Sequence, residues 1–396
     1  MQTSLRLCMR LGAAFVYALL VSCGTASNTQ TTESPAPDYY VDAAALQGGD
    51  GSAERPFPSL AVALAQAEKD ERSEAGIAVA AGLYPEGLLR VPLPVRITGA
   101  GGQTVIAGSF EVAGSLLSLT DLSIIDSDGI AVAVKRKDAD VTLVGVEITG
   151  AFGYGVRQIG GRLTIHLVTI SGTAAESADP ASGTAIFVGG GTQLELGVVH
   201  LHHNVRGLHA GGVGTRVDAD LLLVENSGYH PSVLEWITTV GCDIGFDYLG
   251  AVEFADGAIG VGSNWTITDS TIAGLYAHGG ARVTVRDLTI LRTLSLYPTA
   301  PGAPCSSVGG FGAVAHAAGE LDISYFRIIG ADLCGVNVGS LPGTAIDLAY
   351  GVISSAPIGA CVALEGFDTS RLMRFVRYAD VGVPLRAPSY DFPDPP

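Results

Sequence analysis

The feature that most constrains this chain is a repeat. Residues 140–161, DVTLVGVEITGAFGYGVRQIGG, join an alternating apolar run to a glycine turn and a second short apolar run. Val141, Leu143, Val146 and Ile148 alternate as in a half-buried strand, Gly153 and Gly155 turn a corner, and Val156 opens a second strand. The template recurs at residues 163–170, 194–201, 283–290, 321–328 and 346–353. Where nothing is inserted, starts at Leu117, Val141 and Leu163 lie 24 and then 22 residues apart. A unit that short cannot bury a core alone, so neighbours must stack. The expected fold is an all-β solenoid of stacked strands, of about ten coils from Leu116 onward. Only 15% of residues are charged while Gly numbers 53, which suits strands with tight corners better than helices with charged faces.

Residues 1–22 have the three parts of an export signal: Arg6 and Arg10, an apolar run from Leu11 to Leu20, then small residues. The run is too short for a stable membrane span. Leu20-Val21-Ser22-Cys23 resembles a bacterial lipobox, which implies cleavage before Cys23 and acylation of that cysteine; Gly24 after it leans toward the outer membrane. Residues 23–38, apart from two prolines, hold no apolar side chain larger than alanine after Cys23 and read as a disordered linker. Residues 39–396 form the β-helix domain. The net charge of −17 becomes −19 without Arg6 and Arg10, which argues against nucleic acid and anionic lipid as partners. The membrane is then reached only through the lipid, and the body is expected to be a monomer in the bacterial cell envelope.

From Tyr39 the sequence YYVDAAALQGGDGSAERPFPSLAVALAQA gives a strand, a Gly/Asp loop and an amphipathic helix. Leu60, Ala63, Leu64 and Ala67 form one stripe on that helix. Laid across the first coil, it would close the open apolar cross-section and the unpaired edges there. Residues 78–82, 95–98 and 104–106 read as the first short strands. This opening resembles right-handed parallel β-helix proteins of the pectin-lyase-like class, over about Tyr39 to Arg386. The resemblance implies the fold, a single-stranded right-handed parallel β-helix solenoid with an N-terminal capping helix, and no single activity, because that scaffold carries lyases, hydrolases, esterases, epimerases and proteins with no known activity.

Three insertions, at residues 171–182, 226–256 and 293–309, leave from one corner just after the position of Ile148. Coils stack at about 4.8 Å per step, so such loops stand side by side along one edge. Between the first two lies a coil with His200, His202, His203, Asn204 and Arg206; the second brings Tyr229, His230, Trp236, Asp243, Phe246, Asp247 and Tyr248. Aromatic faces with acidic and amide neighbours suit sugar rings. Tyr229, Trp236, His202, His203, Arg206 and Asp243 are therefore the expected binding residues, with Trp236 and His202 facing one cleft. The bland alternative is that Trp236 and Phe246 only pack the loop.

With Cys8 cleaved away and Cys23 acylated, Cys242, Cys305, Cys334 and Cys361 remain, an even number in an exported chain. Three pairings are open. Cys334 and Cys361 occupy nearly equivalent places in successive coils, and Cys242 and Cys305 lie in the loops flanking a loop-free coil, so these two pairs are favoured. The resemblance implies, for enzymes of the class, calcium-holding aspartates with a basic residue, clustered aspartates, or two aspartates with an arginine. None of these stands out. Asp126 and Asp128 fit a turn better than a site. Asp218 and Asp220 alternate on one strand face, as do His200 and His202, but no third metal ligand is evident. Lys135, Arg136, Lys137, Arg157 and Arg162 form a candidate basic patch. No cofactor and no metal are expected. The reading is a glycan-binding or surface-partner-binding lipoprotein rather than an enzyme; the rivals are a polysaccharide lyase or hydrolase at the same edge, and a structural or adhesive stalk.

Overall fold

The computed structural model describes residues 36–175, 182–228, 250–296 and 308–387. Each coil is built from three short strand faces. In the template unit, Asp140–Thr149 supplies the first two and Tyr154–Ile159 the third. The run read from sequence as one alternating strand is bent in the middle. Its inward residues, Val141 and Leu143 and then Val146 and Ile148, change phase at Gly145, which turns the corner alone with φ of 63°. The same one-residue corner is made by Leu167, Asn264, Asp287, Tyr325, Tyr350 and Phe375, all with φ between 55° and 60°.

The strands pair in parallel from coil to coil, which makes the chain a parallel β-helix. Val141 lies beside Leu117 and Leu163, and Ile148 beside Ile124 and Ile170. Among the described residues, the one antiparallel exception is a two-residue pairing of Ser295 and Leu296 with Gly309 and Val308 at the base of the third insertion. On the second face the inward column runs Ile124, Ile148, Ile170, Leu201, Val224, Ile267, Ile290, Ile328 and Ile353, every one buried. Facing it on the third face is a column of glycine and alanine. A Cβ on Gly155 would lie 2.7 Å from Ile170 Cγ2, and one on Gly312 would lie 2.4 Å from Ile328 Cγ2. Gly155 is therefore a close-approach residue inside a strand, whereas Gly153, with φ of 95°, makes the turn.

Helix α1 (Leu60–Lys69) closes the N-terminal end. Ser59 caps it by accepting a hydrogen bond from the Val62 N–H, and the Glu86 carboxylate accepts from the N–H groups of Leu60 and Ala61. Its stripe of Leu60, Ala63, Leu64 and Ala67 is buried, as the spacing required. The first coil differs slightly from expectation. One strand covers Ala75–Val79 and a separate one begins at Gly82, because Gly82–Val91 belongs to the face that precedes Val95–Thr98.

All three insertions leave from the corner between the second and third faces. They separate Val168–Ser171 from Thr184–Gly189, Arg216–Glu225 from Gly250–Ala255, and Arg282–Leu296 from Phe311–Ala315. The second ends earlier than the sequence suggested, since Gly250–Ala255 is already third-face strand.

At the corner between the first and second faces the last three coils carry aromatic residues. Tyr325 stacks on Tyr350 at 5.2 Å and Tyr350 on Phe375 at 4.8 Å, and the Arg286 guanidinium covers Tyr325 at 4.8 Å. Left-handed backbone costs a bulky L-residue about 1–2 kcal/mol. Each stacked pair returns about 0.5–1.5 kcal/mol, so the ladder and the strain are close to balance.

Candidate functional site

The histidines singled out in the sequence straddle a corner. His200 and His202 project from the outer side of the second face with rings 4.6 Å apart, and His200 Nε2 lies 2.7 Å from Glu225 Oε2. His203 occupies the corner itself in the left-handed conformation (φ 55°), and its Nδ1 is 2.8 Å from His202 Nδ1, one ring donating and the other accepting. Burial, and then the neighbouring His200 and His203, hold the His202 imidazole below its usual value, so it favours the neutral form. Among the described residues no group of three histidine, cysteine or acidic side chains is arranged to hold a metal ion.

Arg206 does not face an open cleft beside His202. It begins the third-face strand Arg206–Gly211, is 2% exposed, and places its Nε 3.4 Å from Glu253 Oε2. Strand register explains this. Leu208 pairs with Val252 and Ala210 with Phe254 on the inside, so His209 and Glu253 lie beside each other on the outside. The outward row on this face runs Arg157, Phe187, His209, Glu253, Tyr276, Val314, Asn337 and Cys361, one residue per coil. Arg206 lies beside that row, three residues before His209, at the insertion-bearing corner.

Glu253 is the hub of this row. It is outward-facing yet 0% exposed. One carboxylate oxygen lies 3.1 Å from His278 Nε2 and 3.4 Å from His209 Nδ1, and the other faces Arg206. Burial pushes its carboxyl up; the Arg206 guanidinium and the hydrogen bonds of His209 and His278 outweigh that and hold it well below the usual carboxylate range. Both imidazoles are braced by aromatic rings, His209 on Phe187 at 4.8 Å and 9°, and His278 on Tyr276 at 4.7 Å and 20°. Below them, Tyr154 meets Phe187 edge-on at 5.3 Å, and the Arg157 guanidinium stands over Phe187 at 5.6 Å and over Tyr154 at 5.8 Å. Tyr154, Arg157 and Phe187 are half-buried, so they reach solvent.

No protein-family model matches this chain, and no curated protein matches it. Solved structures similar to it include the catalytic domain of a GH87 alpha-1,3-glucanase in complex with nigerose, at 11% identity and a TM-score of 0.47, covering 90% of this chain and 70% of that one. A mannuronan C-5 epimerase A-module from Azotobacter vinelandii is similar at 13% identity and a TM-score of 0.42, covering 83% of this chain and 95% of that one. A pectate lyase is similar at 13% identity and a TM-score of 0.38, covering 88% and 78%. Similarity at this level carries no argument about the chemistry of this chain, and its parallel coil is read from its own strand register.

Further along the same face the surface turns apolar. Ala273, Tyr276, Phe311, Val314, Cys334 and Ile358 form a second cluster outside the coil. The depression beside it measures about 30 Å³. Cys334 and Cys361 are joined as the sequence led one to expect, with Cα atoms 6.1 Å apart. The register pairs Cys334 with Ile358 and Cys361 with Asn337, so the link runs diagonally between two coils. Tyr229, Trp236, Asp243, Cys242, Cys305 and the lipobox Cys23 lie outside the described residues.

The remaining candidates resolve into ordinary surface chemistry. Asp126 makes a corner with φ of 50°, and Asp218 is bidentate to Arg216 at 2.7 and 2.9 Å. Arg216, Asp218, Asp220, His166, Arg162 and Glu195 line an open depression of about 630 Å³ on the first face. The basic patch is divided: Arg136 is bidentate to Asp138, Lys135 is 3.9 Å from Glu111, and Arg157 joins the aromatic stack on the third face. Sequence reasoning missed Glu253, His209, His278, Tyr154 and Phe187. The available signal was the outward position of the third-face strand, which carries Arg157, Phe187, His209 and Glu253 in successive coils.

Proposed function

We propose that this chain is a lipid-anchored protein of a bacterial envelope whose β-helix binds a glycan on the outer side of its third face. The observation that carries the reading is the division of labour along that face. Glu253 lies within ion-pair distance of Arg206 and His209 and hydrogen-bond distance of His278 below the surface, and a carboxylate held ionised at 0% exposure is poorly placed to donate a proton to a substrate. The groups in contact with solvent at the near end of the row are a phenol, a guanidinium and a phenyl ring, at Tyr154, Arg157 and Phe187. That set offers hydrogen bonds to hydroxyls and apolar surface to sugar C–H groups.

A glycan array probed with residues 37–396 tests it. Phe187→Ala and Arg157→Ala should each weaken binding to the best glycan by about tenfold or more, as truncation at a binding hot spot does. Retained affinity in both variants would move the site off this face.

One observation favours the polysaccharide lyase or hydrolase reading. A carboxylate beside His278 and His209 could orient an imidazole as a general base. A reducing-sugar and unsaturated-product screen separates the two: turnover that disappears in His209→Ala would make the chain an enzyme, whereas binding without turnover keeps it a binder.

The anchor has its own test. The described residues contain no helix long and apolar enough to cross a membrane. Cys23→Ser should therefore move the protein from the membrane fraction to the soluble fraction without changing its melting. Full sedimentation of the variant with membranes would remove the lipobox from the proposal.

A further inference from the structure

The corner between the first and second faces carries more than stacked rings. Tyr325 and Tyr350 are each 49% exposed, Phe375 is 76% exposed and Met373, just before it, 58%. Strand register sets arginines along both sides of this ladder. On the first-face side one row runs Arg286, Ser324, Ala349 and Arg374, and on the second-face side another runs Arg327, Val352 and Arg377. All four arginines are exposed. Arg286 lies 3.4 Å from Asp287, whereas Arg327, Arg374 and Arg377 have no carboxylate partner among the described residues. Glu320 and Asp347 face Arg282 and Arg371 instead, which leaves Asp322 as the unpaired acid on the first face of these coils.

We propose that this ridge docks on an anionic membrane surface, with the ring edges in the headgroup layer and the guanidiniums on lipid phosphates. A corner between two faces is convex, so it offers a ridge and not a pocket. Neighbouring rings lie within 11° of parallel, with centroids 5.2 and 4.8 Å apart, so their faces cover one another and leave no platform for a sugar between them. What reaches solvent is ring edges and guanidinium groups, the chemistry that holds a protein at a membrane interface. Three coil steps of about 4.8 Å make the ridge roughly 14 Å long. The charge of −17 belongs to the whole chain, and charges farther off than a Debye length of ~8 Å are largely screened. The arginines beside the surface therefore set the attraction. Each strengthens binding about fivefold, so four hold the chain only at roughly millimolar lipid. The ridge orients a chain already at a membrane and does not replace an anchor.

The test is co-sedimentation of residues 37–396, a compact unit of the chain, with vesicles of phosphatidylglycerol and phosphatidylcholine in equal parts, against vesicles of phosphatidylcholine alone. Binding should appear at roughly millimolar lipid on the anionic vesicles only and vanish in high salt. Arg327→Glu combined with Arg377→Glu should weaken it about 25-fold or more. Arg90→Glu combined with Arg162→Glu alters the net charge by the same amount on distant coils and should leave binding unchanged. Phe375→Ser should weaken it while keeping its salt dependence. Equal loss in both double variants would make the attraction one of net charge and overturn the proposal, as would equal binding to the two kinds of vesicle or none to either. Polygalacturonate bound at this ridge with vesicles left unbound overturns it too, and makes an acidic glycan the occupant. Because residues 37–396 begin after Cys23, none of these outcomes depends on the lipobox.

Discussion

Ile148→Asp should abolish cooperative folding of the coil at ordinary temperature. Ile148 is fully buried on the second face, with Ile124 beside it on one side and Ile170 on the other. The substitution forfeits about 1.5–3 kcal/mol of apolar burial. It also places a carboxyl among isoleucines, where an unpaired polar group costs about 2–7 kcal/mol and a charged one more. A whole domain commonly has about 5–15 kcal/mol to lose. Far-UV circular dichroism against temperature measures the effect, and Glu147→Ala, on the exposed neighbour, is the control that should stay within about 0.5 kcal/mol of the parent. Melting of Ile148→Asp within a few degrees of the parent would mean that this column does not point inward.

Glu253→Ala should be nearly as damaging, although it removes a polar group. It removes the carboxylate that lies 3.4 Å from the Arg206 guanidinium, itself 2% exposed, and breaking one side of a buried pair costs about 3–5 kcal/mol. The same pair gives the fold a pH dependence of known sign. The Glu253 carboxyl lies below its ordinary 4.5 in the folded chain, so the unfolded chain takes up the proton first as the pH falls. Its contribution is present in full above pH 4.5 and is lost progressively below it. Equilibrium unfolding in urea between pH 3 and pH 6 should show a steeper acid loss for the parent than for Glu253→Ala. Parallel curves would show that the carboxylate is not held by these cations.

The architecture was legible because its rule is local. Alternation marks a strand, a repeat of 22 to 24 residues marks a coil, and the stripe Leu60, Ala63, Leu64, Ala67 marks a capping helix. The three-faced form of the coil was harder to see. Its signs were the phase slip between Leu143 and Val146 and the glycine inside the third strand, at Gly155 and Gly312, where the isoleucine column leaves no room for a Cβ. The functional face was legible only in part. Arg206 was noticed beside its histidine neighbours in sequence, but its partner Glu253 is 47 residues away and reaches it through strand register across an insertion. His202 and Arg206 are only four residues apart, yet a corner sends them to different faces. Chain proximity therefore grouped the wrong residues, and the column spacing of the coil grouped the right ones.

The ladder of Tyr325, Tyr350 and Phe375 bears on how such a chain gains or loses length. A ring at that corner is strained alone and is compensated by another ring above or below it, or at Tyr325 by the Arg286 guanidinium as well. Duplication of one of these coils would copy its aromatic corner along with its core, and the new ring would enter a stack that already accepts it. Duplication of the coil turning at Leu167 would insert a corner with nothing to stack on. Growth by whole repeats is thus easiest among the coils that turn at Tyr325, Tyr350 and Phe375, where each added unit brings its own compensation.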